Sequence, residues 1–119
     1  MDDTFNLDAL LRRSVPVRLL DAGERVFLEH ETGNEMYIVV SGRVDVLTYG
    51  KVLEQVGPGG MFGEMALIDE GPRSAAAISA EPSEIVVINR DLFVALVREE
   101  PSFALAVMRV LARRLRRRE

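Results

Sequence analysis

The residues best placed to do chemistry lie between Gly57 and Ala76. A glycine-rich turn, Gly57-Pro58-Gly59-Gly60, leads into Phe62-Gly63-Glu64-Met65-Ala66-Leu67-Ile68, and Pro72-Arg73-Ser74-Ala75-Ala76 follows. Glu64 to Leu67 are good helix formers, and Pro72 limits how far a helix can run. The pattern predicts a helix of about a turn and a half. Backbone N–H groups at its start, near Gly63 to Met65, lack helical partners, and the helix dipole favours an anion there. Gly63 has no side chain to keep a phosphate away. Ten residues further on stands Arg73, whose guanidinium can bond a phosphate with two parallel donors. Ser74 adds a hydroxyl, and Ala75 and Ala76 are small enough to bring backbone N–H groups near the same anion. Glu64 is the odd member. Phosphate would repel its carboxylate, whereas a sugar hydroxyl would donate to it.

These residues need a frame, and the rest of the chain predicts one. Short β-branched runs are each closed by a turn signal: Val17 to Leu20, Arg25 to Leu28, Met36 to Val40, Arg43 to Thr48, Lys51 to Val56, Ser74 to Ile78 and Glu84 to Asn89. Strands at this spacing, punctuated by glycine, indicate an antiparallel sandwich or barrel. Val44, Val46 and Thr48 alternate with Arg43, Asp45 and Leu47, which predicts opposite faces. Helices are predicted at residues 7–13 behind an Asn6 cap, at 90–99 behind an Asn89 cap, and from Pro101 to the end. The expectation is one domain over residues 1–119, with a roll of about eight strands and flanking helices.

Other chemistries find little support. The chain has no cysteine and one histidine, which removes disulfides, thiolate metal sites and histidine-cluster metal sites. His30, in Glu29-His30-Glu31, reads as a solvated loop residue. The glycines at 57, 59 and 63 do not match a dinucleotide loop, and no Gly-Lys-Ser/Thr follows them. Asp69 and Glu70 are adjacent, so they do not form a facing catalytic pair. Nothing arranges a nucleophile, a base and stabilising donors, so no enzyme is expected. The start, Met1-Asp2-Asp3-Thr4, lacks the basic-then-apolar pattern of a signal peptide, and no run is apolar enough to span a bilayer. A cytoplasmic protein is the expectation.

The stretch from Phe62 to Ala76 resembles the phosphate-binding cassette of the cyclic nucleotide-binding domain family. Both runs and their separation match. The resemblance extends to Met36-Tyr37-Ile38-Val39-Val40-Ser41-Gly42-Arg43-Val44-Asp45-Val46, similar to the family's central strand pair. It extends also to Ile88-Asn89-Arg90-Asp91-Leu92-Phe93, similar to the start of its B helix. One departure stands in the turn, where Gly60 replaces the family's usual acidic residue. The resemblance implies a jelly-roll-like double-stranded β-helix of about eight antiparallel strands, a short cassette helix and two C-terminal helices. It implies that Gly63, with the backbone of Glu64, Met65 and Ala66, lines a phosphate, and that Arg73 pairs with it. It gives the Glu64 carboxylate to the ribose 2′-hydroxyl. Ser74 would serve the phosphate, or the base in a syn geometry, and Ala75 would close that side. Phe62, Val56, Met61 and the last helix are the candidates for touching the base. The implied ligand is cAMP in preference to cGMP, bound by a regulatory sensor whose C-terminal helices move. Relatives that regulate transcription continue into a DNA-binding domain, so the chain reads as a stand-alone sensor or as part of something longer.

The last helix carries two apolar stripes. Phe103, Val107, Val110 and Leu111 form one, and Leu105, Met108, Ala112 and Leu115 form another. One stripe suffices to cover a sheet, so the second suggests a homodimer seam or a lid over the base. The net charge is −4, yet Arg109, Arg113, Arg114, Arg116, Arg117 and Arg118 crowd the end. Cations there favour a helix C-terminus. Without interleaved aromatics or a reading helix, nucleic acid is not expected as a partner. The alternative function is an interaction or dimerisation module with a vestigial nucleotide pocket.

Overall fold

The computed structural model describes residues 5–69 and 71–118, the last two of these by backbone alone. Expectations placed on residues 1–4, on Glu70 and on the side chains of Arg117 and Arg118 lie outside the described residues. The order is α1 (Leu7–Leu11), β1 (Val17–Leu20), β2 (Arg25–Phe27), β3 (Glu35–Ser41), β4 (Val44–Thr48), β5 (Lys51–Val56), β6 (Met61–Phe62), α2 (Met65–Ile68), β7 (Ala76–Ser79), β8 (Ser83–Asn89), α3 (Arg90–Glu99) and α4 (Pro101–Arg118). The strands form two antiparallel four-stranded sheets, β1-β8-β3-β6 and β2-β7-β4-β5. This is the expected roll with flanking helices. The sequence reading missed β6, a strand of only two residues.

The two sheets bury different patterns because they have different neighbours. The first is covered on both faces. Tyr37, Val39 and Ile85 meet the second sheet in the inter-sheet core, whereas Met36, Ile38, Val86 and Ile88 meet the helices. Hence Met36 to Val40 and Ile85 to Ile88 read as unbroken apolar runs. The second sheet is covered on one face. Val44 faces inward across from Val56, and Val46 faces inward across from Glu54, while Asp45 is paired with Gln55 on the outer side. A carboxylate at the inward register position of Glu54 is unusual and becomes important below.

The predicted caps hold: Asn6 Oδ1 accepts from the Asp8 N–H at 2.9 Å, and Asn89 Oδ1 accepts from the Leu92 N–H at 2.9 Å. α4 is anchored by Phe103, which is fully buried with its ring edge-on to Phe5 and Phe93 at 5.4 and 5.7 Å. Burial of one such side chain contributes about 2–3 kcal/mol. The stripe with Val107 and Val110 is buried, and the stripe with Leu105, Met108 and Leu115 stays exposed. α4 therefore crosses the domain with one apolar face covered and another facing outward.

Candidate ligand-binding site

All eight residues expected at the site line one open cleft. They come from three places: Phe62 and Gly63 at the end of β6, Glu64 to Ala66 at the start of α2, and Arg73 to Ala75 before β7. Phe27, Val46, Pro72 and Arg114 complete the lining. Val56 and Met61, named as base contacts, do not line it. Val56 is packed between the sheets and Met61 beneath the helices. Their apolar side chains are part of the core that the strands bury.

Arg73 is buried, with 5% of its surface exposed. Its Nη1 donates to the Gly63 carbonyl at 2.7 Å and its Nη2 to the Glu35 carbonyl at 2.8 Å. The guanidinium lies 4.0 Å above the Phe27 ring, a favourable place for a cation. Two glycines make room for it. A Cβ at Gly33 would stand 2.4 Å from Arg73 Nε, and one at Gly63 would stand 2.9 Å from Nη1. Gly63 also has φ +79°, which side chains resist. The main chain of Arg73 is held as well. Its N–H donates to the Glu31 carbonyl, and the His30 N–H donates to the Arg73 carbonyl, both at 2.8 Å. The loop between β2 and β3 thus grips Arg73 from outside. His30 is exposed there, as expected, but at φ +70°. Burial holds the Arg73 guanidinium below its ordinary pKa, with Tyr37, Glu35, Glu64 and Glu31 acting in the opposite sense. Its Nε has no hydrogen-bond partner.

Glu64 is fully buried. It stands at the N-cap of α2, but its side chain does not cap that helix. The carboxylate instead reaches α4, where Arg114 Nη1 donates to its Oε2. Its Oε1 has no partner. Arg114 Nη2 also donates to Glu54 Oε1 at 3.0 Å, and Arg113 Nη2 donates to Glu54 Oε2 at 2.7 Å. Burial works against the Arg114 charge, but Glu64 and then Glu54 outweigh it and hold the group above its ordinary pKa. Glu64 and Arg73 do not pair on the surface: Arg73 bonds carbonyls, and both residues are buried.

Arg113 and Arg114 were grouped by sequence with the cationic helix end. The structure pairs Arg114 with Glu64 of the cleft and with Glu54 behind it, and Arg113 with Glu54. The available signal was Glu54, a carboxylate at an inward strand position. Ser74 is exposed at the cleft, and Ala75 is nearly covered. Asp69 serves its own loop, accepting from the Gly71 N–H at 3.0 Å.

The cleft thus offers a buried cation and a buried carboxylate, each with an uncommitted atom. The model of the cyclic nucleotide-binding domain matches residues 17–100. The chain belongs to this family. It is 38% identical over 104 residues to the Cyclic AMP receptor protein of Thermus thermophilus, covering 83% of this chain and 48% of that protein. It is 35% identical over 114 residues to a CRP-like cAMP-activated global transcriptional regulator of Mycobacterium tuberculosis, covering 92% of this chain and 50% of that one. The solved Thermus thermophilus catabolite activator protein superposes with a TM-score of 0.80 at 37% identity, over 93% of this chain and 54% of that one. The chain spans about half the length of these curated relatives. As a cyclic nucleotide-binding domain it is a regulatory module, and no described helix is long and apolar enough to cross a membrane.

Proposed function

We propose that the domain is a sensor for cAMP, with cGMP the weaker ligand. One observation carries the reading. Glu64 and Arg73 line the same cleft, and each keeps a buried polar atom without a partner, an acceptor Oε1 and a donor Nε. A cyclic nucleotide brings the complements, a ribose 2′-hydroxyl and a phosphate anion. In this reading the phosphate lies along Gly63, the backbone of Met65 and Ala66, and Arg73. Ser74, being exposed, is available to the phosphate or to a syn base. Ala75 closes the side, and Phe62 sits beneath.

The preference for cAMP rests on the likeness to a cyclic AMP receptor protein and to a cAMP-activated regulator. The whole of residues 1–119 acts as one binding domain, and the reading assigns it no catalysis. α4 supplies the response, since its Arg114 touches Glu64, the carboxylate that the ligand hydroxyl would reach. Movement of α3 and α4 then follows from different ligand affinity for the two helix positions.

The outward stripe of α4 favours a second element of the reading, a homodimer. Leu105, Met108 and Leu115 are 49, 57 and 64% exposed, a row of large apolar side chains on one face. Nucleic acid is not proposed, because Arg113 and Arg114 bind acids of this chain. A cytoplasmic location belongs to the same proposal.

Calorimetric titration with cAMP, cGMP and linear 5′-AMP tests the reading. Micromolar or tighter binding of cAMP, weaker cGMP and silent AMP are expected. Absence of heat and of thermal stabilisation with both cyclic nucleotides would overturn it, leaving an interaction module with a vestigial pocket. Sedimentation velocity over a concentration series tests the dimer, which a monomer at every concentration would refute.

A further inference from the structure

The guanidinium of Arg114 is divided between two carboxylates. An arginine facing one carboxylate commonly closes on both of its oxygens with two parallel bonds. Here the fork does not close on Glu64. Nη1 reaches Glu64 Oε2, while Nη2 is taken by Glu54 Oε1 at 3.0 Å. Glu54 is held in turn by Arg113, from the same helix, at 2.7 Å. Its place follows from the strand register: it lies opposite Val46, which lines the cleft, and so shares that inward face. The consequence is visible on Glu64, whose Oε1 is buried and has no hydrogen-bond partner.

We propose that Glu54 is a positioning residue for the ligand site, drawing one arm of Arg114 away so that one oxygen of Glu64 stays open to a ligand hydroxyl. The proposal rests on the reading of Glu64 as the hydroxyl acceptor. Without Glu54, both nitrogens of Arg114 are free to close on Glu64. Its Oε1 is then consumed, and a ligand gains nothing from carrying the hydroxyl. Without Arg114, no fork exists to close, and Glu54 has nothing to hold apart. Glu54 therefore matters to hydroxyl recognition only while Arg114 is present, which a merely structural residue would not show.

The test titrates the full chain with cAMP and with 2′-deoxy-cAMP by calorimetry, with thermal unfolding to confirm folding. A hydrogen bond to a charged group predicts that the unaltered chain prefers cAMP by about tenfold. Glu54→Ala is expected to bring cAMP down to the level of 2′-deoxy-cAMP, whose own affinity changes by less than about twofold. Arg114→Gln is expected to keep the preference, and Glu54→Ala combined with Arg114→Gln to regain it. Equal weakening of both ligands by Glu54→Ala overturns the proposal, as does a double variant that still lacks the preference. A chain that binds neither ligand overturns the site reading itself, a failure seen before any variant is made. Should Glu54→Ala not fold, Glu54→Ser, whose hydroxyl is too short to reach Arg114, carries the same comparison.

Discussion

Two arginines line the cleft, Arg73 buried and Arg114 half-buried, and they are held by opposite means. Arg73 is held by neutral groups: the carbonyls of Gly63 and Glu35, the ring of Phe27 and the space left by two glycines. Arg114 is held by two carboxylates. Burial lowers the pKa of the first, while the acids raise that of the second against burial. Arg73 thus has geometry without a counter-ion, and Arg114 has counter-ions already. On the proposed reading, an arriving anion gains most at the first and a neutral hydroxyl fits beside the second. The sheets build the one wall, and a few side chains at the end of α4 build the other.

The comparison breaks most readily at Arg73. Arg73→Lys keeps a charge but cannot serve both carbonyls and a phosphate. Affinity for a cyclic nucleotide is expected to fall at least about a hundredfold, as for loss of a buried charged contact, measured by calorimetry. Loss of a buried hydrogen bond should also cost about 1–3 kcal/mol in urea unfolding. Binding kept within about threefold of the original would show that Arg73 serves only the loop. The other wall is probed by Glu64→Gln, which should weaken cAMP about tenfold and leave 2′-deoxy-cAMP within about twofold. An equal loss for both ligands would remove the hydroxyl role.

Smaller effects sharpen the contrast. Gly33→Ala places a methyl against the Arg73 guanidinium, 2.4 Å from Nε if nothing moved. Overpacking of this kind costs about 1–3 kcal/mol, and affinity should fall severalfold while Arg114 is untouched. An alanine chain as stable and as tight as the original would mean that the neutral cradle is loose. The smallest change is expected from His30→Gly. His30 sits at φ +70°, where a side chain is disfavoured by about 1 kcal/mol, partly offset by the entropy cost of glycine. A stabilisation of about 0.5 kcal/mol is expected, without change in affinity. A loss of stability would point to a role for the imidazole.

The wall that the sheets build was legible in the chain, and the wall that α4 builds was not. Gly63, Glu64, Arg73 and Pro72 announce themselves because turn, short helix and breaker follow one another locally. The strands show because each is closed by a turn residue, and the double burial of β3 and β8 shows as unbroken apolar runs. β6 was too short to carry a period. Arg114 was hidden for a different reason. Its partners, Glu64 and Glu54, lie 50 and 60 residues away, and helical periodicity says only which face 114 shares. The pairing becomes legible only once β4 and β5 are in register, with Glu54 beside Val46 on the inward face.

The pairing of β8 has a consequence for the order in which the domain can form. β8 lies between β1 and β3, with Leu20 beside Ser83 and Glu35 beside Asn89. A central strand of the first sheet is therefore the last of the eight described strands to be synthesised. Until it emerges, β1 has no partner in its sheet and β3 lacks its principal neighbour. Joining Leu20 to Ser83 also closes most of the chain into a loop, an entropic cost met before the contacts return anything. The first sheet thus closes only after β8 has been made, and α3 and α4 dock on a surface that β8 has only just completed.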